Sequence, residues 1–266
     1  MSHWIRHRFP SIKRIFVATI SLCFLMFATV SRSDAGILGG NLLANPDAEL
    51  GAGSPTGNVV SVPGWSVVGD FTVVKYGVPG GFPLLTDAGP LVRGTNFFAG
   101  GPSNAASSAS QLIDVSSEAS AIDAGDVTFS LAAYLGGFSS QRDHAVLEID
   151  FLNAADSSIG FDSIGPVSNT ERSNLTGLLP RSSFGAIPVG TRTIDVTLWM
   201  TRVDGAYNDG YADNLSLILT ASPSSVPEPS TFALAASCIG FLFVCGRRST
   251  SSSNRISHRI ASAPGN

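Results

Sequence analysis

Val127-Thr128-Phe129-Ser130-Leu131 and Ile194-Asp195-Val196-Thr197-Leu198 alternate apolar and polar side chains without a break. A period of two means that one face of each segment is buried and the other is wet, the mark of strands in a half-covered sheet. Further short segments rich in β-branched and aromatic residues recur between Gly, Pro, Asn and Asp punctuation: Phe71 to Tyr76, Gln111 to Val115, Val127 to Leu135, Ala145 to Leu152, Thr193 to Met200 and Asn214 to Leu219. No stretch between Gly36 and Val226 shows a helical apolar stripe. The expectation is an all-β fold, an antiparallel β-sandwich of jelly-roll type over 36–220. The Gly-, Ser- and Ala-rich run Gly100 to Ser110 reads as a long loop, and 221–230 as a linker.

The chain has 266 residues, and its two ends read as addresses. Arg6, Arg8, Lys13 and Arg14 precede the apolar run Ile15 to Val30, and Ser33-Asp34-Ala35 offers small residues to a signal peptidase. A signal peptide over 1–35, cut after Ala35, is expected. Near the other end, Pro227-Glu228-Pro229 is followed by an apolar helix over 231–246 and then by Arg247-Arg248, opening a basic cytoplasmic tail over 247–266. The prolines fix φ and remove two backbone donors, so Glu228 sits on extended chain. The helix is short for a bilayer, which needs about 20 residues, but the arginines after it suit the cytoplasmic end of a transmembrane helix.

This tripeptide, helix and arginine order resembles the PEP-CTERM sorting signal of Gram-negative bacteria. The resemblance implies recognition by an exosortase-type enzyme, removal of the helix, and delivery of the remainder to the cell surface or outside it.

Between the two ends, seven cations (Lys75, Arg93, Arg142, Arg172, Arg181, Arg192 and Arg202) face eighteen carboxylates, a net charge of −11. Such a surface repels phosphate backbones and excludes nucleic acid as a partner. Cys23, Cys238 and Cys245 all lie in the end segments, which removes disulfides, cysteine-bound zinc and thiol nucleophiles from the central region.

Asn41-Leu42-Leu43-Ala44-Asn45-Pro46-Asp47-Ala48-Glu49, followed by Pro63-Gly64-Trp65, resembles the opening strand of galactose-binding-like domains, the fold of many carbohydrate-binding modules. Asp209-Gly210-Tyr211-Ala212-Asp213-Asn214-Leu215-Ser216-Leu217 resembles their closing strand. The resemblance implies that first and last strands lie side by side and that a structural calcium ion sits near them. Glu49 and Asp213 would be its charged ligands, with Asp47 and Asp209 as supplements. The plainer reading is that Glu49 and Asp213 cap turns.

Little in the sequence supports catalysis. His144 is the single histidine of the central region and reads as a polar turn residue. Glu148 and Asp150 share one face of a strand and read as a solvated polar face. Sugar sites combine aromatic platforms with planar polar side chains. Tyr207 and Tyr211, read as loop residues, and Arg93 and Asn96 are the candidate ligand-binding residues. Trp65, after Pro63-Gly64, and Trp199, inside a strand, read as packing residues. The expected function is a non-catalytic exported module that binds a glycan; the alternative is a structural or adhesive surface protein.

Overall fold

The structure, a computed structural model, describes residues 37–222. The signal segment, the apolar C-terminal helix and the basic tail lie outside the described residues. The alternation in the sequence is realised as ten strands: β1 (Ser66–Val68), β2 (Thr72–Lys75), β3 (Asn96–Pro102), β4 (Ala106–Asp114), β5 (Val127–Gly137), β6 (His144–Leu152), β7 (Ser158–Ile164), β8 (Gly177–Ala186), β9 (Thr193–Thr201) and β10 (Tyr207–Ala221). They form two antiparallel five-stranded sheets, ordered β1-β4-β9-β6-β7 and β2-β3-β10-β5-β8. One short helix, α1 (Ala119–Asp123), precedes β5 and is pinned by buried Ile122.

The core lies between the sheets. Val127, Phe129, Leu131, Ala133 and Leu135 of β5 meet Leu147, Ile149 and Phe151 of β6 and Ile194, Val196 and Leu198 of β9. Each large side chain buried in this way contributes about 1.5–3 kcal/mol, which makes this layer the main source of stability. Trp65 packs as expected: its ring lies edge-on to Phe98 at 5.7 Å, and its Nε1 donates to the Asn45 carbonyl.

The run from Gly100 to Ser110 is not a loop. Gly100 and Gly101 end β3, and β4 begins at Ala106 after a tight turn in which the Asn104 amide donates to the carbonyls of Gly100, Gly101 and Pro102. The glycines are there because neighbouring chain comes close: a Cβ on Gly101 would strike the Asp70 carbonyl, and one on Gly100 would strike Asn208. Gly in a strand marks such an approach as readily as it marks a loop.

Trp199 also departs from expectation. On β9 the inward positions are Ile194, Val196, Leu198 and Met200, so Trp199 points outward and is 45% exposed. Glu148 and Asp150 pair in register with Thr197 and Asp195 on the same outer face.

The opening segment lies beside the closing strand, as the resemblance implies, although it is a ladder fragment and not a full strand. Asn41 bridges Ile218, the Leu42 amide donates to the Leu217 carbonyl at 2.9 Å, and the Asn41 side chain bonds the Leu215 carbonyl and the Leu217 amide. The strand β10 thus has two partners on one edge. Its first half pairs with β3 up to Ala212, and its second half takes the opening segment.

A strap over residues 77–94 crosses the outer face of the second sheet. It leaves β2 at Tyr76, bridges Gly177 of β8 through Ala88, and returns past Val92, whose carbonyl accepts from Asn214 at 2.7 Å. Phe82 of the strap joins Val74, Tyr76, Phe97, Ala99, Leu178 and Tyr211 in a second, smaller core.

Candidate functional site

Pieces of chain far apart in sequence meet at one end of the sandwich: the turn around Thr56, the strap from Gly77 to Ala88, the segment Phe138–Gln141, the loop from Glu171 to Thr176, and the start of β10. The strap, Phe138, Ser139 and the stretch after Glu171 line a cleft of about 930 Å³. A side recess of about 350 Å³ shares Pro79, Gly80, Phe82 and Phe138 with it and adds Gln141, Tyr207 and Asp209.

The aromatic wall of the recess is locally determined. Gly57 (φ +81°) and Gly81 (φ +89°) lie against the rings of Phe82 and Phe138, where a Cβ would collide. Phe82 meets Tyr207 edge-on with ring centroids 5.2 Å apart, and the Tyr207 hydroxyl donates to the Gly57 carbonyl at 2.9 Å. The Tyr207 ring is therefore held both by a neighbouring ring and at its hydroxyl tip.

The polar floor is a buried network. Arg172, 5% exposed, donates to the carbonyls of Gly137, Ser139, Leu175 and Gln141. Asp143 accepts from the amides of Val203, Asp204 and Asp209, which ties the loop before β10 to the loop before β6. Asp209 accepts from the Tyr211 hydroxyl. Burial pushes the Asp209 carboxyl up to about 6; the Tyr211 bond and the Arg172 charge pull it down, and the Asp143 charge adds to the rise. Two buried polar atoms in these cleft-lining residues, Gln141 Oε1 and Arg172 Nε, have no protein partner.

The residues expected to bind ligand divide between this cleft and the interior. Tyr207 lines the recess. Tyr211 does not: it lies on β10 under the strap, fully buried, with its hydroxyl turned to Asp209. Arg93 pins the strap by donating to the carbonyls of Leu84, Asp87 and Pro90, and its guanidinium lies 5.4 Å over the Tyr76 ring. Asn96 is buried and donates to the Ala48 carbonyl.

Glu49, Asp47 and Asp213 gather on the other side of the strap, and Asp209, four residues along β10, belongs to the cleft instead. Glu49 lies in a turn, where its carboxylate accepts from the amides of Thr95 and Asn96 and from the Thr95 hydroxyl, each at 2.7 Å. Asp213 is fully buried and accepts from the Tyr76 hydroxyl and the Asn214 amide. Burial pushes Asp213 up to about 7 against those two bonds, with the charges of Asp47 and Glu49 adding to the rise. The Glu49 bonds are the turn clamp of the plainer reading, whereas Asp213 lies inside β10 and caps no turn. Among the described residues, no group of three or more His, Cys, Asp or Glu is arranged to hold a metal ion.

Sequence reasoning missed Gln141, Arg172 and Thr56. Arg172 carried a faint signal, being one of only seven cations in an acidic region and set among Ser, Asn and Thr.

Residues 225–249 match the PEP-CTERM protein-sorting motif. The chain is thus an exported, surface-sorted protein whose tail marks it for an exosortase. No curated protein matches the sequence. Among solved structures, the xylan-binding CBM22 domain of Paenibacillus barcinonensis Xyn10C is similar at 9% identity and a TM-score of 0.35, covering 62% of this chain and 91% of that one. A cyclase from Fischerella sp. TAU, in complex with 4-(1H-indol-3-yl)butan-2-one, is similar at 11% identity and a TM-score of 0.46, over 70% of this chain and 99% of that one. The enzymatically active domain of bacteriophage CBA120 tailspike protein 4 is similar at 16% identity and a TM-score of 0.41, over 67% of this chain; this chain spans about a fifth (21%) of that protein. Among the described residues no helix is long and apolar enough to cross a membrane.

Proposed function

We propose that this surface-sorted protein is a non-catalytic module that binds carbohydrate in the cleft at the loop end of its sandwich. One observation carries the reading: Phe82, Phe138 and Tyr207 wall a recess that Asp209, Gln141 and Thr56 line with polar side chains. Aromatic faces take the C–H surface of a sugar ring, and fixed polar atoms take its hydroxyls. A catalytic reading has less to build on, since the His144 Nδ1 bonds the Arg142 carbonyl and Glu148 and Asp150 lie on an open sheet face.

The test is a glycan array probed with residues 36–222, which contain both sheets and the whole core. Retention of at least one glycan, reduced tenfold or more by Phe138→Leu, supports the reading. An array with no binder refutes it and leaves the structural or adhesive role.

Calcium beside Asp47, Glu49 and Asp213 is a separate proposal. Its support is the approach of two carboxylates, Asp47 and Glu49, to the buried Asp213, with the Ala48 and Gly51 carbonyls converging on the Asn96 side chain, whose own Oδ1 lacks a partner. An ion there would pin the opening segment to β10 and do no chemistry.

A further inference from the structure

The recess beside Asp209 has a more specific character than a general sugar site. Its aromatic walls and its one charged side chain have the complementarity that ammonium groups find in proteins: ring faces supply negative potential, and a carboxylate supplies the counter-charge. No Lys or Arg lines the recess. Two guanidinium groups lie near it, and both are spent on backbone oxygens. Arg172 donates to four carbonyls, and Arg202 donates to the carbonyl of Ala206 at 2.9 Å.

The hydrogen bonds leave that carboxylate one open oxygen. Tyr207 spends its hydroxyl proton on Gly57, and Tyr211 spends its own on Asp209. What the recess offers a ligand is therefore one charged acceptor, the second oxygen of Asp209, with the Thr56 hydroxyl and the Gln141 amide beside it. An ammonium carries three donors and a positive charge, so it can give a proton to the open Asp209 oxygen and pair with its charge, which a hydroxyl or an acetamide cannot. The adjoining cleft is lined by Asp87 and Glu171 together with Arg172; Glu171 pairs with Arg181 at 2.6 Å, and Arg172 is held by its four carbonyls.

We propose that the recess receives the ammonium group of a glycan built from amino sugars with free amines, its pyranose ring resting between Phe82, Phe138 and Tyr207. The proposal rests on the carbohydrate reading and names its ligand class. A uronic-acid polymer is excluded by the same charges.

The test is calorimetric titration of residues 36–222 with three probes: glucosamine oligomers, N-acetylglucosamine oligomers and galacturonate oligomers. Glucosamine oligomers bind at least tenfold more tightly than the acetylated ones, and galacturonate gives no heat. Asp209→Asn keeps an acceptor for the Tyr211 hydroxyl while removing the charge, and it abolishes the tenfold preference. Phe138→Leu weakens glucosamine binding without touching a charge. Glu118→Gln removes the same charge from the helical turn before α1, outside the recess, and leaves the preference intact. Equal affinity for the acetylated and free forms, a preference that survives Asp209→Asn, or one lost equally in Glu118→Gln overturns the proposal. Binding of some other glycan on the array with none of these probes overturns the amine assignment alone; an array with no binder overturns the carbohydrate reading too.

Discussion

Asp209→Asn is expected to make the protein more stable near pH 8, although it removes a hydrogen-bonded, buried carboxylate. Asp209 is 8% exposed, and its carboxyl is raised from an ordinary 3.8 to about 6, chiefly by burial. An acid whose folded-state value is raised holds its proton more tightly when folded. The stability it allows is therefore greatest at low pH and falls as pH rises through the folded value. Fully ionised, the group costs the folded state ~3 kcal/mol, and roughly half of that is lost between about pH 5 and about pH 8. Asparagine carries no such cost, keeps an oxygen for the Tyr211 hydroxyl, and turns its amide towards the recess. Urea unfolding of residues 36–222 at both pH values, in chelator, measures the effect. The wild type loses roughly half of that ~3 kcal/mol more than the variant between the two, and the variant is the more stable at the higher pH by up to about 3 kcal/mol. Asp195 and Asp213, also raised chiefly by burial, titrate in both proteins and cancel in the comparison. A variant less stable than wild type near pH 8, or one with the same pH slope, refutes the reasoning.

Other consequences can be measured independently. Phe98→Ala removes the partner of Trp65 and Phe71 from the middle of the core, and chemical denaturation should show a loss of about 3–5 kcal/mol. If calcium sits beside Asp213, millimolar calcium raises the melting temperature and chelation lowers it; an unchanged melting temperature removes the ion from the account. For sorting, mass spectrometry of the surface form should find a C-terminus upstream of the apolar helix, and a surface form that retains Arg248 contradicts cleavage.

The fold was legible where alternation was strong. The segments Val127–Leu135, Ala145–Leu152 and Thr193–Met200 stand within a residue or two of their observed strands, because one buried face per strand imposes a period of two. Strands with weak apolar patterns were not legible. Gly100 and Ser107 carry close approaches of backbone and hydroxyl, the Ser107 hydroxyl donating to the Gly100 carbonyl at 2.7 Å, and such contacts leave a loop-like composition. Trp199 shows the limit of residue type: its size suggests a core, but its odd-numbered place on β9 sends it outward. The cleft was the least legible part. Its walls come from four stretches between Thr56 and Asp209, and their meeting depends on buried ties such as Arg172 to the Gly137 carbonyl and Asp143 to the Asp209 amide. No local spacing records those ties. Tyr207 was found because it stands among Asn, Asp and Gly; Tyr211, in the same company, is interior because β10 begins four residues before it.

The most direct test is where a captured glycan sits. In proton–carbon spectra of the aromatic rings of residues 36–222, titrating the best glycan from the array should shift Phe82, Phe138 and Tyr207 while Trp199 and Tyr134 stay in place. Shifts confined to Trp199 or Tyr134, on the outer faces of the two sheets, with the three recess rings unmoved, contradict the account.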